Sequence, residues 1–197
     1  MFDLSNFTKK LLAISLLGRR IYYYEGYTGD KKSKGRPSNM RTIVLLARGR
    51  PSETETNLVL RGFLDRLLSC PNTPNGEVDR AEEDFVRNNF MVVVVPILNV
   101  DGVLVGNSRC SVSGQDLLSV WSKPDRYLHP EVYYTKKLIK QLQQQGNIVF
   151  FTEFRSDPAM KGCKVQGNQL GQDRKPPREF PCLLSENVNF FSLDNCK

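Results

Sequence analysis

Runs of consecutive apolar residues are the clearest pattern along the chain. Three of them stand out: TIVLLA (42–47), MVVVVPIL (91–98) and NIVFFTEF (147–154). Runs of this length are typical of strands that a sheet buries on both faces. The tyrosine-rich segment IYYYEGYT (21–28) has the composition of a further strand.

Segments with helical spacing alternate with these strands. After RGRPSETE (48–55), apolar residues keep i, i+3, i+4 spacing until the turn signals of SCPNTPNG (69–76). The sequence predicts an acidic helix over 78–89 and a longer helix over 129–145, with Pro130 near its first turn.

Three other segments carry weaker signals. We predict a loop rich in turn residues at 99–118 and an irregular segment at 156–197. We also predict an amphipathic helix at the start of the chain. Its apolar positions are Leu11, Leu12, Ile14, Leu16 and Leu17.

The alternation of strands and helices over 42–154 indicates an α/β fold. We expect three layers, αβα, around a mainly parallel (mixed) central sheet, in a single domain over 1–197. In such sheets, ligands bind outside the carboxyl ends of the strands. The candidate site segments are therefore RGRPSETE (48–55), NVDG (99–102) with the loop after it, and TEFRSD (152–157).

Positive charge is concentrated near the start of the chain. The formal net charge is +7, and most of the excess lies within residues 1–50. A loop at 29–41, punctuated by Gly and Pro, is interpreted either as a contact for an acidic partner or as a solvated surface loop. Nucleic acid is the weakest candidate partner, because the sequence has no recognised binding motif. The basic residues of this loop include Lys31, Lys32, Lys34 and Arg36.

The cysteines bear on the cellular compartment. There are five of them, and they form no C-x-x-C pair. This pattern argues against a disulfide framework or a zinc knuckle and favours a reducing compartment. No apolar stretch approaches the roughly 20 residues that span a membrane. We therefore expect a cytoplasmic protein without a membrane span.

The candidate segments also carry longer motifs. Residues 47–54, ARGRPSET, stand in the same frame as the pattern A-R-x-H-P-G-E-S/T. Residues 95–121 fit V-P-x-L-N-P-D-G-V followed by G-N-x-R-C-S-x-x-G-x-D-L-N-R-x-W, and residues 124–139 fit a P-D, L-H-P, Y, K pattern. On these motifs the chain, over roughly residues 8–196, resembles the zinc carboxypeptidases of the cytosolic, tubulin-deglutamylating branch.

The resemblance implies a zinc site made of a His and a Glu in the first motif and a second His after the third strand. Glu53 is retained here, but Arg50 stands at the first His position and Arg155 at the second. Catalytic zinc needs three neutral or anionic donors and an open position for water. Arginine has no lone pair to donate. We therefore expect no zinc cofactor, since the chain's one histidine, His129, belongs to the L-H-P segment.

The resemblance also bears on substrate recognition. In the family, the Asn and Arg of D-L-N-R bind the substrate's terminal carboxylate, whereas residues 116–119 are Asp-Leu-Leu-Ser here. Arg109 matches the family's arginine that stabilises the developing oxyanion. The family's general-base Glu falls beyond Lys197, the end of this sequence.

These changes predict a catalytically inactive pseudoenzyme of the metallocarboxypeptidase family that acts as a structural or binding subunit. The alternative, from a different class, is an active zinc metallocarboxypeptidase that removes C-terminal glutamates from acidic protein tails. In the inactive protein, Arg50, Arg109 and Arg155 would converge on a carboxylate. The other interpretation of the old pocket is that Glu53 and Asp116 neutralise these arginines internally.

The resemblance further implies an incomplete carboxypeptidase fold, because the family has additional C-terminal elements and a β-sandwich domain upstream. An open apolar sheet edge favours pairing with another chain. We therefore expect a subunit of a larger assembly. The family's link to tubulin points to a microtubule or axonemal complex, with tubulin or acidic tails as partners and the cytoskeleton or cilium as the location.

Overall fold

The computed structural model describes residues 7–27, 41–68, 85, 89–157, 163–165, 179–187 and 191–196. Contacts divide the chain into two compact units, Met1–Ser156 and Asp157–Lys197. The candidate site segments lie almost entirely in the first unit. No helix in the described part of the chain is both long and apolar enough to cross a membrane.

Strands and helices alternate through most of the first unit. Its elements, in chain order, are β1 (Phe7–Ile14), β2 (Arg20–Tyr27), β3 (Arg41–Ala47), α1 (Glu55–Leu68), β4 (Phe90–Val95), α2 (Val100–Val105), α3 (Pro130–Gln145) and β5 (Ile148–Phe154). The second unit contains β6 (Cys163–Val165), α4 (Glu179–Asn187) and β7 (Phe191–Cys196), and its two strands pair in parallel.

The five strands of the first unit form one sheet in the order β1-β2-β4-β3-β5. Strands β3, β4 and β5 run parallel, whereas β1 and β2 form an antiparallel hairpin and β2 pairs antiparallel with β4. The carboxyl ends of β3, β4 and β5 therefore meet at one edge of the sheet. This mixed sheet confirms the predicted α/β fold class.

The core explains why the strand sequences are continuously apolar. Successive side chains of a strand point to opposite faces, and both faces of β3 and β4 are covered. One face packs against α3 and the other against α1. The α3 face includes Val44, Leu46, Val93, Val95, Leu138 and Leu142. The α1 face includes Ile43, Leu45, Val92, Val94, Leu60 and Leu64.

The predicted helix at the start of the chain is wrong, because residues 7–14 form β1. This strand pairs with β2 from Phe7↔Gly26 to Ile14↔Arg20. The register shifts between Leu11 and Ala13, which is a bulge. A bulge interrupts the two-residue alternation by which a strand is recognised, so the apolar residues fall at spacings that mimic a helix.

Two further predictions also need correction. The loop predicted at 99–118 contains α2, a short helix whose glycine at its centre gives it poor helix propensity. Asn99 caps this helix by accepting a hydrogen bond from Gly102 N–H at 3.0 Å. The segment predicted to be irregular after Ser156 contains β6, α4 and β7, which are too short to show a period.

The other predicted elements are either confirmed or fall outside the described residues. The strands over 21–28, 42–47, 91–98 and 147–154 and the helix over 129–145 are confirmed within a few residues. The acidic helix predicted at 78–89 falls almost wholly outside the described residues. Lys31, Lys32, Lys34 and Arg36, which form the basic loop, also lie outside them.

A buried carboxyl group lies at the start of α3. Glu131 is 0% exposed, and neither of its carboxyl oxygens has a hydrogen-bond partner among the described residues. Burial raises the pKa of Glu131 from 4.5 to about 7, and the charge of Asp101 adds to this rise. The folded chain therefore holds a proton on Glu131 at pH values where the unfolded chain has lost it.

This proton makes stability depend on pH. Between pH 4.5 and about 7 the folded state binds the extra proton, so the free energy of unfolding falls as the pH rises through this window. The contribution is about 3 kcal/mol, since each tenfold change in proton affinity is worth about 1.4 kcal/mol. We expect Glu131→Gln to remove this part of the pH dependence, measured by urea unfolding at about pH 5 and about pH 8.

Glu55→Gln is the matched control, because Glu55 occupies the first turn of α1 but is exposed. The control should keep the wild-type difference in unfolding free energy between the two pH values. If Glu131→Gln and Glu55→Gln show the same difference, Glu131 does not hold the proton.

Candidate functional site

A sharp turn follows β3 and begins the candidate site. Arg48 has a φ of 57°, which is uncommon for a residue with a side chain. Its side-chain Nε donates to the Pro51 carbonyl at 3.1 Å, and its own carbonyl accepts the Asn99 N–H at 3.1 Å. The turn after β3 is thereby tied to the segment after β4.

Gly49 allows three segments to approach closely. A Cβ atom at this position would lie 2.6 Å from Oε1 of Glu153 and 2.9 Å from Cδ2 of Leu118. Both distances are shorter than a carbon atom permits, so a larger residue would require the ends of the Glu153 and Leu118 side chains to move. Glycine here therefore brings the carboxylate of Glu153 against the turn that carries Arg50.

Arg50 is held by two carboxylates. Its Nε and Nη2 both approach Oδ2 of Asp116, at 3.1 and 3.0 Å, and its Nη1 lies 3.6 Å from Oε1 of Glu53. Arg109 donates from Nε to the same Oδ2 atom of Asp116 at 2.9 Å. One aspartate thus serves two of the three arginines that the sequence places in the site.

The electrostatics of Asp116 reflect this double contact. Burial alone would raise its pKa, but hydrogen bonds from Arg109, the Leu118 N–H and Arg50 outweigh burial and hold the pKa below 3.8. Asp116 is therefore charged at neutral pH. The Arg50 and Arg109 guanidiniums share one firmly ionised partner.

Glu53, which corresponds to the one metal ligand retained from the family, is only 6% exposed. Burial raises its pKa above 4.5, whereas the Ser156 N–H and the charges of Arg155 and Arg50 act in the opposite direction. The charge of Asp116 acts in the same direction as burial, so Glu53 has neighbours of both charges as well as a backbone amide.

Glu153 belongs to the same cluster, and sequence reasoning missed it. It lies near the end of β5, and burial raises its pKa to about 7; Arg155 opposes this rise and Glu53 adds to it. Its Oε1 atom is buried without a hydrogen-bond partner among the described residues. The available signal was a carboxylate two positions before Arg155, at a strand end already marked as a candidate.

The structure therefore brings together the positions that match the family's ligands. Arg50 contacts Glu53 directly, and the exposed Arg155 is close enough to influence the pKa of both Glu53 and Glu153. Arg109 joins them through Asp116. We call Arg50, Glu53, Arg109, Asp116, Glu153 and Arg155 the strand-end cluster.

The donor chemistry of this cluster does not fit a zinc ion. The three positions that match the family's ligands offer one carboxylate and two guanidiniums, which cannot donate to a metal. No group of three or more His, Cys, Asp or Glu side chains in the described residues is arranged to hold a metal ion. His129 is engaged at the start of α3, where its Nδ1 accepts the Asp125 N–H at 3.1 Å.

A shallow pocket of about 370 Å³ lies on the loop that carries Arg109. Its lining comes from residues 107–112 and Gly114, and it includes the half-buried Cys110 thiol. Arg109 is 64% exposed even though Asp116 holds its Nε atom. Its remaining guanidinium nitrogens therefore stay accessible from solvent.

Comparisons with known proteins identify similar sequences. The chain is 31% identical to mouse cytosolic carboxypeptidase 3 over 205 aligned positions, covering 98% of this chain and 19% of that protein. It is 32% identical to mouse cytosolic carboxypeptidase 2 over 197 positions, covering 98% of this chain and 22% of that protein. No family model matches the sequence.

Solved structures identify the fold. A metallo-carboxypeptidase from Burkholderia cenocepacia superposes with a TM-score of 0.75 at 19% identity, covering 96% of this chain and 48% of that one. The fold is thus that of a metallocarboxypeptidase. Given its similarity in sequence to the two mouse proteins, the chain belongs to the cytosolic carboxypeptidase family. It spans about a fifth of the length of those relatives.

Proposed function

We propose that this protein is a catalytically inactive member of the cytosolic carboxypeptidase family that acts as a structural or protein-binding subunit. The observation that carries the proposal is the strand-end cluster. Its arginines stand at two of the three ligand positions, and the third position, Glu53, faces one of them at 3.6 Å. The three ligand positions supply one donor, Glu53, and two guanidiniums, which cannot bind a catalytic zinc ion.

The ion pairs favour a self-neutralised pocket. Asp116 holds both Arg50 and Arg109, so two of the three arginines already have a carboxylate partner within the chain. Binding of an external carboxylate by Arg50, Arg109 and Arg155 remains a prediction. Arg109 and Arg155 are the two members of that set exposed enough to take part.

The proposed setting is a cytoplasmic protein assembly. Resemblance to the tubulin-deglutamylating branch favours tubulin or other acidic tails as partners, and a microtubule, cytoskeletal or axonemal location, including the cilium. Two features support acidic partners: the net charge of +7 and the concentration of basic residues near the start of the chain. This setting rests on family analogy and charge.

Metal content and hydrolysis together test the proposal. We expect the purified chain to contain less than about 0.1 zinc per molecule, since a site with one donor cannot retain the ion. We also expect no release of glutamate from a peptide that ends in several glutamates. Zinc would be measured by mass spectrometry after dialysis against zinc and then against metal-free buffer.

The metallo-carboxypeptidase from Burkholderia cenocepacia, purified and dialysed in the same way, is the control for retained metal. If this protein retains about one zinc ion per molecule and releases glutamate in a reaction that a chelator abolishes, the alternative of an active zinc metallocarboxypeptidase is favoured.

A further inference from the structure

The turn between β1 and β2 has an unusual composition. Residues Leu16, Leu17 and Gly18 form a three-residue hairpin loop, closed by bonds from Gly18 N–H to the Ser15 carbonyl at 3.0 Å and from Ser15 N–H to the Arg19 carbonyl at 2.8 Å. Gly18 has a φ of 73°, the left-handed conformation that this loop type requires. Two adjacent leucines are not required by the turn, because turns favour Gly, Asn, Asp and Ser.

A buried carboxylate holds this turn in place. Asp101 of α2 is 0% exposed. Its Oδ1 accepts the Ser15 hydroxyl at 2.6 Å, and its Oδ2 accepts the Leu17 N–H at 2.9 Å. One carboxylate oxygen thus holds the Ser15 side chain and the other holds the Leu17 backbone, which fixes the turn against α2. The leucine side chains are presented from a fixed backbone.

Two more exposed apolar residues lie beside this turn. Leu104 and Val105 follow Asp101 by three and four positions on α2, so all three share one side of the helix. Since Asp101 faces the turn, the two aliphatic side chains project from the side of α2 on which the turn lies. The exposed fractions are 40% for Leu16, 50% for Leu17, 55% for Leu104 and 51% for Val105. We call these four residues the tip patch.

The charges around the tip patch are positive. Arg19 and Arg20 directly follow the turn, and both are exposed. The described residues provide neither of them with an ion pair. Asp101, the acidic residue beneath the patch, is buried and already bonded to the turn. The surface therefore combines an aliphatic centre with a guanidinium border.

We propose that the tip patch is a docking surface for a protein segment in which aliphatic side chains are interspersed with acidic ones. An apolar centre with arginine at its border has the composition of protein interfaces. Guanidiniums bind carboxylates in bidentate geometry, which gives such a partner both affinity and orientation. The proposal does not depend on whether the strand-end cluster is active.

Charge and shape argue against two other occupants of the tip patch, a second copy of the chain and a membrane surface. A second copy of the chain would bring its own Arg19 and Arg20 against the same residues, so like charges would oppose each other. A membrane surface favours side chains that project from the protein body. Leu16 and Leu17 are instead about half covered, because the turn lies against α2.

A designed peptide tests the proposal directly. The probe is a fluorescently labelled helical peptide with leucines at i, i+3 and i+4 spacing and glutamates elsewhere, and its partner is the full chain. We expect fluorescence anisotropy to detect binding, and either Leu16→Ser with Leu17→Ser or Arg19→Glu with Arg20→Glu to weaken it at least about tenfold. The same peptide with lysines in place of glutamates should bind at least about tenfold more weakly.

Leu58→Ser is the matched control, because Leu58 is 70% exposed but lies on α1. It should leave the affinity unchanged, and thermal unfolding should establish that each variant is folded. Equal binding by the wild type and a folded Leu16→Ser, Leu17→Ser variant would overturn the proposal, as would failure of the glutamate peptide to bind the wild type.

Two measurements test the other occupants. If sedimentation velocity reveals a dimer that the Leu16→Ser, Leu17→Ser variant lacks, the patch is an interface between two copies and the proposal is wrong. If the wild type binds vesicles of phosphatidylserine and phosphatidylcholine and the variant does not, the surface is a membrane contact and the proposal is equally wrong.

Discussion

The double substitution Arg50→His with Arg155→His should create a zinc site in this protein. The two imidazoles would join Glu53, giving the three donors that a zinc site needs with one position left open. Arg50 already lies 3.6 Å from Glu53, and Arg155 is near enough to influence its pKa. We expect a dissociation constant of about 1 µM or below, against no measurable binding by the wild-type chain. Isothermal titration with zinc would measure it.

Two control variants separate metal ligation from loss of charge. Arg50→Gln with Arg155→Gln removes both positive charges but supplies no imidazole, so it should bind zinc much more weakly. Adding Glu53→Gln to the histidine pair should weaken binding at least about tenfold by removing the third ligand. A folded histidine variant that binds no more zinc than the glutamine variant would show that these positions do not converge as the structure indicates.

Asp116→Asn should cause a substantial loss of stability within the strand-end cluster. Asp116 accepts hydrogen bonds from Arg50, Arg109 and the Leu118 N–H, and its side chain is only 10% exposed. Removing its charge leaves two guanidiniums without an ionised partner. We expect the free energy of unfolding to fall by about 2 kcal/mol. This is less than the loss for a fully buried pair, because both arginines are partly in solvent.

The matched control is Asp65→Asn, which disrupts an aspartate–arginine pair on the surface. Asp65 is 62% exposed and lies 3.4 Å from Arg61, its partner one turn earlier on α1. This change should cost less than about 0.5 kcal/mol. Both values would come from urea unfolding at neutral pH. If the two variants lose the same stability, the shared aspartate does not hold the cluster together.

Local pattern was sufficient for the buried strands and the long helices. Strands β3 and β4 are covered on both faces, so their sequences are continuously apolar and could be recognised without knowledge of their partners. By contrast, β1 has several exposed apolar residues and a bulge, and its strand conformation depends on pairing with β2. The helix predicted at the start of the chain, with apolar positions from Leu11 to Leu17, is wrong for that reason.

The predicted site positions came from motif matching, and their contacts from the structure. The sequence identified Arg50, Glu53, Arg109 and Arg155 by their places in the family's motifs. Glu153 was missed because its importance comes from its position against Gly49, more than a hundred residues earlier in the chain. The tip patch was missed because Leu16 and Leu17 were assigned to a helix.

By itself, the sequence determined the family and the α/β class, because both follow from residue identities in a fixed frame. It also predicted that arginines replace two metal-ligating histidines. Only the tertiary structure decided which charges meet. Arg50 and Asp116 are 66 positions apart, and their contact depends on the turn after β3 and the loop after α2 reaching the same edge of the sheet. Local propensity contains no information about such a pairing, since the pairing arises from the order of the strands and from the close approach of distant backbone segments.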